Sequence, residues 1–192
     1  MSDALADVTA CGVECALVGG LAVGVRATER TTRDVDLVVV CPDDGAAERL
    51  VVALQRRGYD VAQLLEHQPS GAIATVRLLS RARPRTHVDL LVRATGIERE
   101  IARAAERVEV AAGFVAPVAR AGHLVAMKIV SRGKSRPRDA QDLVELLREI
   151  SPDDLALARD ACTRIDGIGL HPNRSMRDEL EAEIAVQSPS LG

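Results

Sequence analysis

Two aspartates at the start of an apolar run, Asp34 and Asp36, carry the clearest chemical signal in the chain. They are two residues apart, so in a β-strand both side chains project from the same face. Two carboxylates on one face repel each other, and they are costly to place beside a core unless a cation lies between them. Mg²⁺ is usually held by one or two carboxylates together with substrate phosphates. The pair therefore predicts a Mg²⁺ (or Mn²⁺) site.

An Asp-x-Asp pair on its own is more often a solvated strand edge, or an N-cap aspartate beside a salt bridge to Arg33. In this chain the pair is followed by the apolar run 37–40, which is typical of a central strand that is covered on both faces. The mouth of such a strand is where ligand sites of α/β proteins tend to lie. These surroundings favour the metal-binding interpretation.

The second element of the pattern is Gly19-Gly20, which is separated from Asp34 by thirteen residues. It follows the short apolar segment 15–18 and precedes a segment that is compatible with a helix. Free backbone N–H groups at a helix start can meet phosphate oxygens. A phosphate-binding turn followed by a metal-binding pair predicts nucleotidyl transfer with an NTP as substrate.

Asp89 and Lys128 extend the predicted site. Asp89 lies in segment 86–92, in which polar and apolar residues alternate. It is either part of a polar, solvent-facing strand face or a third carboxylate of the active site. Two-metal nucleotidyl transfer needs such a group as a base and as a ligand of a second ion, so we predict this role. Lys128 lies in an apolar helix, either as a surface lysine or as a positive charge over the triphosphate. We predict the second role.

Several polar residues near these positions are candidate nucleotide contacts. Arginine suits bidentate phosphate binding, although the segment before the aspartates also reads as a plain polar loop. The candidates there are Arg30, Thr32 and Arg33. Asp139 is a further candidate, with Asp142 on the same helical face, although both also suit ion pairs with nearby arginines.

Composition narrows the classes of function. The chain has 192 residues with one Phe, one Tyr and no Trp, which excludes aromatic platforms for base stacking. Its net charge of −3 gives no overall basic field that would draw it to nucleic acid or to a membrane. The basic residues in 132–138 suit an RNA backbone or a solvated loop equally well.

The sequence carries no recognisable zinc-binding pattern, signal peptide or transmembrane segment. Four cysteines are present, but no second pair or histidine partner completes a zinc pattern, so we predict no zinc. Met1–Thr9 carries two aspartates and no basic segment of a signal peptide, and no apolar run reaches transmembrane length. We therefore expect a cytoplasmic protein with no membrane partner.

The pattern of elements predicts that strands dominate residues 15–118 and that helices dominate residues 119–187. This indicates an α/β (α+β) fold, with a catalytic core at 1–118 and a helical C-terminal region at 119–192 packed on it. In detail, we predict a turn at Gly19-Gly20, a strand from Asp34, a basic turn over 80–85 and a helix over 97–106.

The spacing of Gly19-Gly20, Asp34-Val35-Asp36 and the later Asp89 resembles that of the DNA polymerase β-like nucleotidyltransferase superfamily. Within it, two further patterns resemble AbiEii-type nucleotidyltransferases, a group that includes toxins of toxin–antitoxin pairs. They are Arg30-x-Thr32-x-Asp34-x-Asp36 and Lys128…Arg136-Pro137-Arg138-Asp139-x-x-Asp142-Leu143.

The resemblance implies a mixed β-sheet with flanking helices and a helical C-terminal part. It implies Mg²⁺ on Asp34, Asp36 and Asp89, nucleotide phosphates at Gly19-Gly20, and supporting roles for Lys128 and Asp139. The implied enzyme moves NMP from NTP to a hydroxyl of RNA (tRNA) or protein, with a cognate antitoxin as partner. The alternatives are transfer to a small-molecule (antibiotic) hydroxyl, or a non-catalytic nucleotide-binding partner subunit.

Overall fold

The computed structural model describes residues 2–27, 32, 34–67, 70–132 and 137–187. Within these ranges seven strands form one sheet. They are β1 (Cys15–Val18), β2 (Val35–Val39), β3 (Tyr59–Glu66), β4 (Ile73–Ser80), β5 (Arg83–Leu91), β6 (Glu106–Ala111) and β7 (Phe114–Val118). Their order is β3-β4-β5-β2-β1-β7-β6, and the sheet is mixed because β2–β5 and β1–β7 pair parallel while the other neighbours pair antiparallel.

Eight helices flank or follow this sheet in the same ranges. They are α1 (Ser2–Ala10), α2 (Gly19–Arg26), α3 (Asp44–Arg56), α4 (Glu98–Arg103), α5 (Ala121–Ser131), α6 (Pro137–Glu149), α7 (Pro152–Ile168) and α8 (Met176–Gln187). None of them is both long and apolar enough to span a membrane.

The core is aliphatic, as the composition requires. One continuous cluster of buried side chains joins Leu37 of the sheet to Leu124 of α5 and Ile165 of α7, all nearly inaccessible to solvent. Burying such side chains is the main stabilising contribution to a fold of this size. The predicted mixed α/β architecture with a helical C-terminal part is confirmed, while the division at residue 118 stays a prediction.

Two predictions around the glycine pair and the aspartates are wrong in detail: the turn predicted at Gly19-Gly20 is the start of a helix, and the strand predicted from Asp34 begins one residue later. The chain passes from β1 directly into α2, whose first two residues are Gly19, with a positive φ of 63°, and Gly20, so no separate turn lies between the two elements. The strand begins at Val35, so that Asp34 stands just before β2. Both glycines and both aspartates consequently lie at or next to element ends, where backbone N–H groups are left without partners inside the element.

Two other predicted elements are shorter than the pattern suggested. The helix over 97–106 ends at Arg103, because Glu106 enters β6 and pairs with Val118 of β7. The basic turn over 80–85 is confined to positions 81 and 82, and Pro84 already lies in β5. A register irregularity between Leu79 and Ser80 accommodates the proline there.

Candidate active site

One row of residues crosses three neighbouring strands of the sheet. Asp36 of β2 pairs in register with Asp89 of β5, and Asp89 pairs in register with Arg77 of β4. Residues that face each other across paired strands project from the same face of a sheet. The sheet therefore brings together two of the predicted carboxylates and one arginine that the sequence did not single out.

Asp36 packs against the start of α2. Its carboxylate accepts a hydrogen bond from the backbone N–H of Gly20. A Cβ atom on Gly19 would lie 1.9 Å from Oδ2 of Asp36, so no other residue fits there without displacing the carboxylate. The close approach of a glycine backbone and an aspartate explains why both residue types occur at this spacing.

Asp36 carries an unfavourable charge in this position. Burial, together with the nearby charges of Asp89 and Asp34, raises the pKa of Asp36 to about 6. The charge of Lys128 and the hydrogen bond from Gly20 act in the opposite direction. The site thus concentrates negative charge that is only partly compensated by the chain's own groups, and a bound cation would relieve it.

Asp34 lies at the solvent-accessible end of the same face. Its side chain is 47% exposed, and Oδ1 lies 3.2 Å from Nδ1 of His87 on β5. His87 stands two residues before Asp89 and therefore on the same face of the strand. His87 therefore contacts one carboxylate oxygen of Asp34.

Asp89 is nearly buried and forms a bidentate ion pair with Arg77. Nε of Arg77 donates to Oδ1 at 2.8 Å, and Nη2 donates to Oδ2 at 2.6 Å. Hydrogen bonding to Asp89 is the main cause of the raised pKa of Arg77. Both oxygens of the predicted third metal ligand are consequently engaged by a guanidinium.

Lys128 of α5 is held between two carboxylates of α6. Its Nζ lies 2.6 Å from Oδ1 of Asp139 and 2.6 Å from Oδ2 of Asp142, and all three side chains are largely buried. This pairing explains the spacing of the two aspartates on one face of α6. The ammonium group is therefore paired with two carboxylates, although its charge still acts on Asp36.

The family that matches this sequence is described as nucleotidyl transferase AbiEii toxin of the type IV toxin–antitoxin system, and the match covers residues 3–186. The chain belongs to the AbiEii nucleotidyltransferase toxin family. It is therefore a nucleotidyl-transfer enzyme, as the glycine pair and the aspartates predicted. No curated protein matches the chain significantly.

Solved structures resemble this AbiEii-family chain in their fold. An antigenic nucleotidyltransferase-like protein from Paracoccidioides brasiliensis is 17% identical with a TM-score of 0.50, covering 94% of this chain and 90% of that one. The antibiotic-resistance factor ANT(2'')-Ia is 14% identical, with a TM-score of 0.48 and coverages of 95% and 89%. The lincosamide antibiotic adenylyltransferase LnuA, bound to lincomycin, is 13% identical, with a TM-score of 0.49 and coverages of 76% and 92%.

Of the three predicted metal ligands in the AbiEii-family chain, two suit a divalent cation better than the third. Within the described ranges, no three histidine, cysteine or acidic side chains are grouped so that they could hold a metal ion. Asp34 and Asp36 offer hard oxygen ligands beside a helix start, which is the donor chemistry that Mg²⁺ prefers. Each oxygen of Asp89 accepts a hydrogen bond from Arg77, and this positive charge disfavours a cation at Asp89. The three-aspartate metal site therefore stays a prediction, and the pair fits better than the triad.

Of the three predicted nucleotide contacts that precede Asp34, the structure describes one. Thr32 is half-buried, two residues before Asp34. Arg30 and Arg33 lie outside the described residues, so their predicted phosphate contacts stay predictions.

Replacing Lys128 by methionine is expected to destabilise the AbiEii-family chain strongly. Asp139 and Asp142 would then be buried together without the ammonium group that lies between them. Removing one partner of a buried ion pair costs about 3 kcal/mol. Urea denaturation of Lys128→Met would measure this loss of unfolding free energy.

The exposed pair of Arg177 and Glu181 provides the comparison, because surface pairs one helical turn apart contribute only about 0.3–0.5 kcal/mol. Arg177→Met should therefore leave the urea midpoint nearly unchanged. Equal losses in the two variants would show that the Lys128 cluster is not an important buried contact.

Proposed function

We propose that this AbiEii-family enzyme uses Mg²⁺ to transfer NMP from an NTP to a hydroxyl of RNA (tRNA) or protein. We further propose that it acts as the toxin of a toxin–antitoxin pair. The observation that carries the proposal is the contact of Asp36 with Gly19 and Gly20, since it joins a carboxylate pair to a helix start. A metal-bound nucleotide needs carboxylates for its cation and N–H donors for its phosphate oxygens, and these two kinds of group must lie side by side.

Asp34 and Asp36 would hold the cation, which supplies positive charge at the α-phosphate when it is bound. The N–H groups of the first turn of α2 have no partner within the helix. One of them, that of Gly20, donates to Asp36. The others are suited to phosphate oxygens, and Arg30, Thr32 and Arg33 would extend this contact from the segment before Asp34.

The proposed reaction is an in-line displacement at the α-phosphorus. The acceptor oxygen forms a bond to this phosphorus, the bond to the bridging oxygen breaks, and pyrophosphate leaves with the electron pair. The hydroxyl proton passes to a carboxylate, for which we propose Asp89, because it stands beside Asp36 on the same face. Loosening of the ion pair with Arg77 would make further lone pairs of Asp89 available for this proton.

Lys128 and Asp139 would act through the electrostatic field of the site. The charge of Lys128 favours the ionised form of Asp36 and so supports cation binding. Asp139 holds Lys128 at 2.6 Å together with Asp142, which fixes the ammonium in its position. A direct contact of Lys128 with the triphosphate would require it to leave one of these partners.

The acceptor is tested with α-labelled NTPs, Mg²⁺, and total RNA or cell protein offered separately. We expect labelled RNA or labelled protein with the wild type, and a loss of about 1,000-fold in Asp36→Ala, because phosphoryl chemistry depends on charge stabilisation by the metal. EDTA should abolish the signal. Equal labelling by Asp36→Ala would contradict the assignment of the site.

The toxin role is tested by expression in cells. We expect growth arrest with the wild type, none with Asp36→Ala, and relief when the antitoxin is co-expressed. Resistance to an antibiotic without growth arrest would instead favour the small-molecule acceptor.

A further inference from the structure

The Arg77–Asp89 pair neutralises one of the three carboxylates of the site. Its two hydrogen bonds of 2.8 and 2.6 Å form the forked geometry in which arginine binds carboxylates most strongly. The Asp89 side chain is 12% exposed and that of Arg77 is 35% exposed. The fork is thus partly shielded from water, and Asp89 has no oxygen free of the guanidinium.

We propose that Arg77 is a positioning residue that withholds Asp89 from the cation site in the nucleotide-free enzyme. In this state Asp34 and Asp36 alone hold the divalent cation. The inference rests on the proposed function, because it concerns the cation that we assign to these two aspartates.

Charge balance supports this role. The charges of Asp34 and Asp89 both act on Asp36, and the charges of all three aspartates act on Arg77. A guanidinium keeps its charge at any ordinary pH, so Arg77 opposes a cation at Asp89 under all working conditions. A cation that approaches a remaining lone pair of Asp89 meets the positive charge of the neighbouring guanidinium. The arginine therefore occupies the place that a further positive charge would take.

Register explains why Arg77 reaches Asp89 and neither of the other acids. Arg77 is the direct antiparallel partner of Asp89, while Asp36 lies on the far side of Asp89 in the parallel pair of β2 and β5. The sheet therefore divides the acids into a paired one next to β4 and two that face α2 and the solvent. This division matches a cation site made of two ligands.

The chain contains a matched comparison for this ion pair. Arg81 forms a similar fork with Asp60, with hydrogen bonds between 2.6 and 3.1 Å, but both side chains are more than half exposed. Asp60 faces no other acid of the proposed site. Arg81→Met therefore removes the same kind of pair without changing the charge around Asp36.

The test is a titration of nucleotide-free enzyme with Mn²⁺, followed by electron paramagnetic resonance of the unbound ion. We expect Arg77→Met to bind Mn²⁺ about tenfold more tightly than the wild type, because a positive charge is removed and an acidic ligand becomes available. Arg81→Met should bind like the wild type. In the double variant Arg77→Met/Asp89→Asn most of the gain should disappear.

Thermal unfolding gives a second measurement. In EDTA, Arg77→Met should unfold at a lower temperature than the wild type, because Asp89 is left near-buried without its partner. Mn²⁺ should raise the unfolding temperature of Arg77→Met more than that of the wild type. If Arg77→Met does not fold, Arg77→Lys should show the same changes in part, since a lysine cannot engage both oxygens at once.

The outcomes separate this inference from the proposed function. Wild-type binding of Mn²⁺ that is lost in Asp36→Asn, with unchanged affinity in Arg77→Met or Arg77→Lys, would overturn the role of Arg77 and leave the proposed function standing. Equal Mn²⁺ binding by wild type and Asp36→Asn would overturn the cation site itself.

Discussion

Gly19→Ala is expected to lower nucleotidyl transfer by about a hundredfold, which is the order of loss that a displacement of about 1 Å can cause in a catalytic site. The added Cβ atom would lie 1.9 Å from Oδ2, 2.5 Å from Cγ and 2.7 Å from Cβ of Asp36. These atoms cannot coexist, so the carboxylate must leave its position or α2 must move away from β2. Either change separates the helix start from the aspartate pair. The measurement is the transfer rate at saturating NTP and Mg²⁺, together with Mn²⁺ affinity.

Gly113→Ala is the matched control for this variant. Both glycines have a positive φ, 63° at Gly19 and 73° at Gly113, so alanine strains the backbone similarly at both positions. A Cβ on Gly113 meets nothing within 4 Å. Gly113→Ala should therefore lose only about 1 kcal/mol of unfolding free energy and keep its transfer rate. Equal rates for the two variants would show that the close approach of Gly19 to Asp36 does not matter for the reaction.

Asp36→Asn is expected to abolish transfer while making the metal-free protein more stable at neutral pH. The carboxylate is held near Asp89 and Asp34, and burial with these charges raises its pKa to about 6. Asparagine has nearly the same shape and can still accept a hydrogen bond, but it carries no charge. The expected gain in unfolding free energy at pH 7.5 is about 1–2 kcal/mol, and the expected loss of transfer is about 1,000-fold.

The gain in unfolding free energy of Asp36→Asn over the wild type should decrease as the pH falls. Because the folded-state pKa of about 6 lies above the ordinary value of 3.8, the folded wild type binds a proton in this window before the unfolded chain does. Its stability therefore rises as the pH falls from about 6 to 4, where the charge of Asp36 is lost. The advantage of Asp36→Asn should vanish over the same interval. Urea titrations in EDTA at pH 7.5 and pH 4 would test this, and a constant difference would contradict the electrostatic account.

The sequence was sufficient to predict the fold class because its signals are local. Apolar segments of strand length lie between helix-compatible segments, and the second half of the chain lacks strand patterns after residue 118. The ends of elements were less predictable, since pairing partners decide them. Glu106 enters a strand because Val118 pairs with it, and no local pattern carries that information.

Within the site, the sequence located the acids but not their partners. Arg77 stands out only as one basic residue in the apolar strand β4. A symmetric turn over 80–85 would pair Arg77 with Val88, on the opposite face of β5. The register irregularity between Leu79 and Ser80 shifts the pairing so that Arg77 faces Asp89. Similarly, the pairing of Lys128 with Asp139 and Asp142 depends on how α5 packs on α6.

Parallel reactions with α-labelled and γ-labelled NTP show whether the enzyme transfers the nucleotidyl group or the terminal phosphate. Each reaction contains the wild-type enzyme, Mg²⁺ and the acceptor mixture, and the label on the acceptor and the released pyrophosphate are both measured. We expect label from the α position only, with one pyrophosphate released per NMP transferred, and neither product with Asp36→Asn. Transfer of the γ label, or α labelling that persists in Asp36→Asn, would contradict nucleotidyl transfer at the Gly19–Asp36 site.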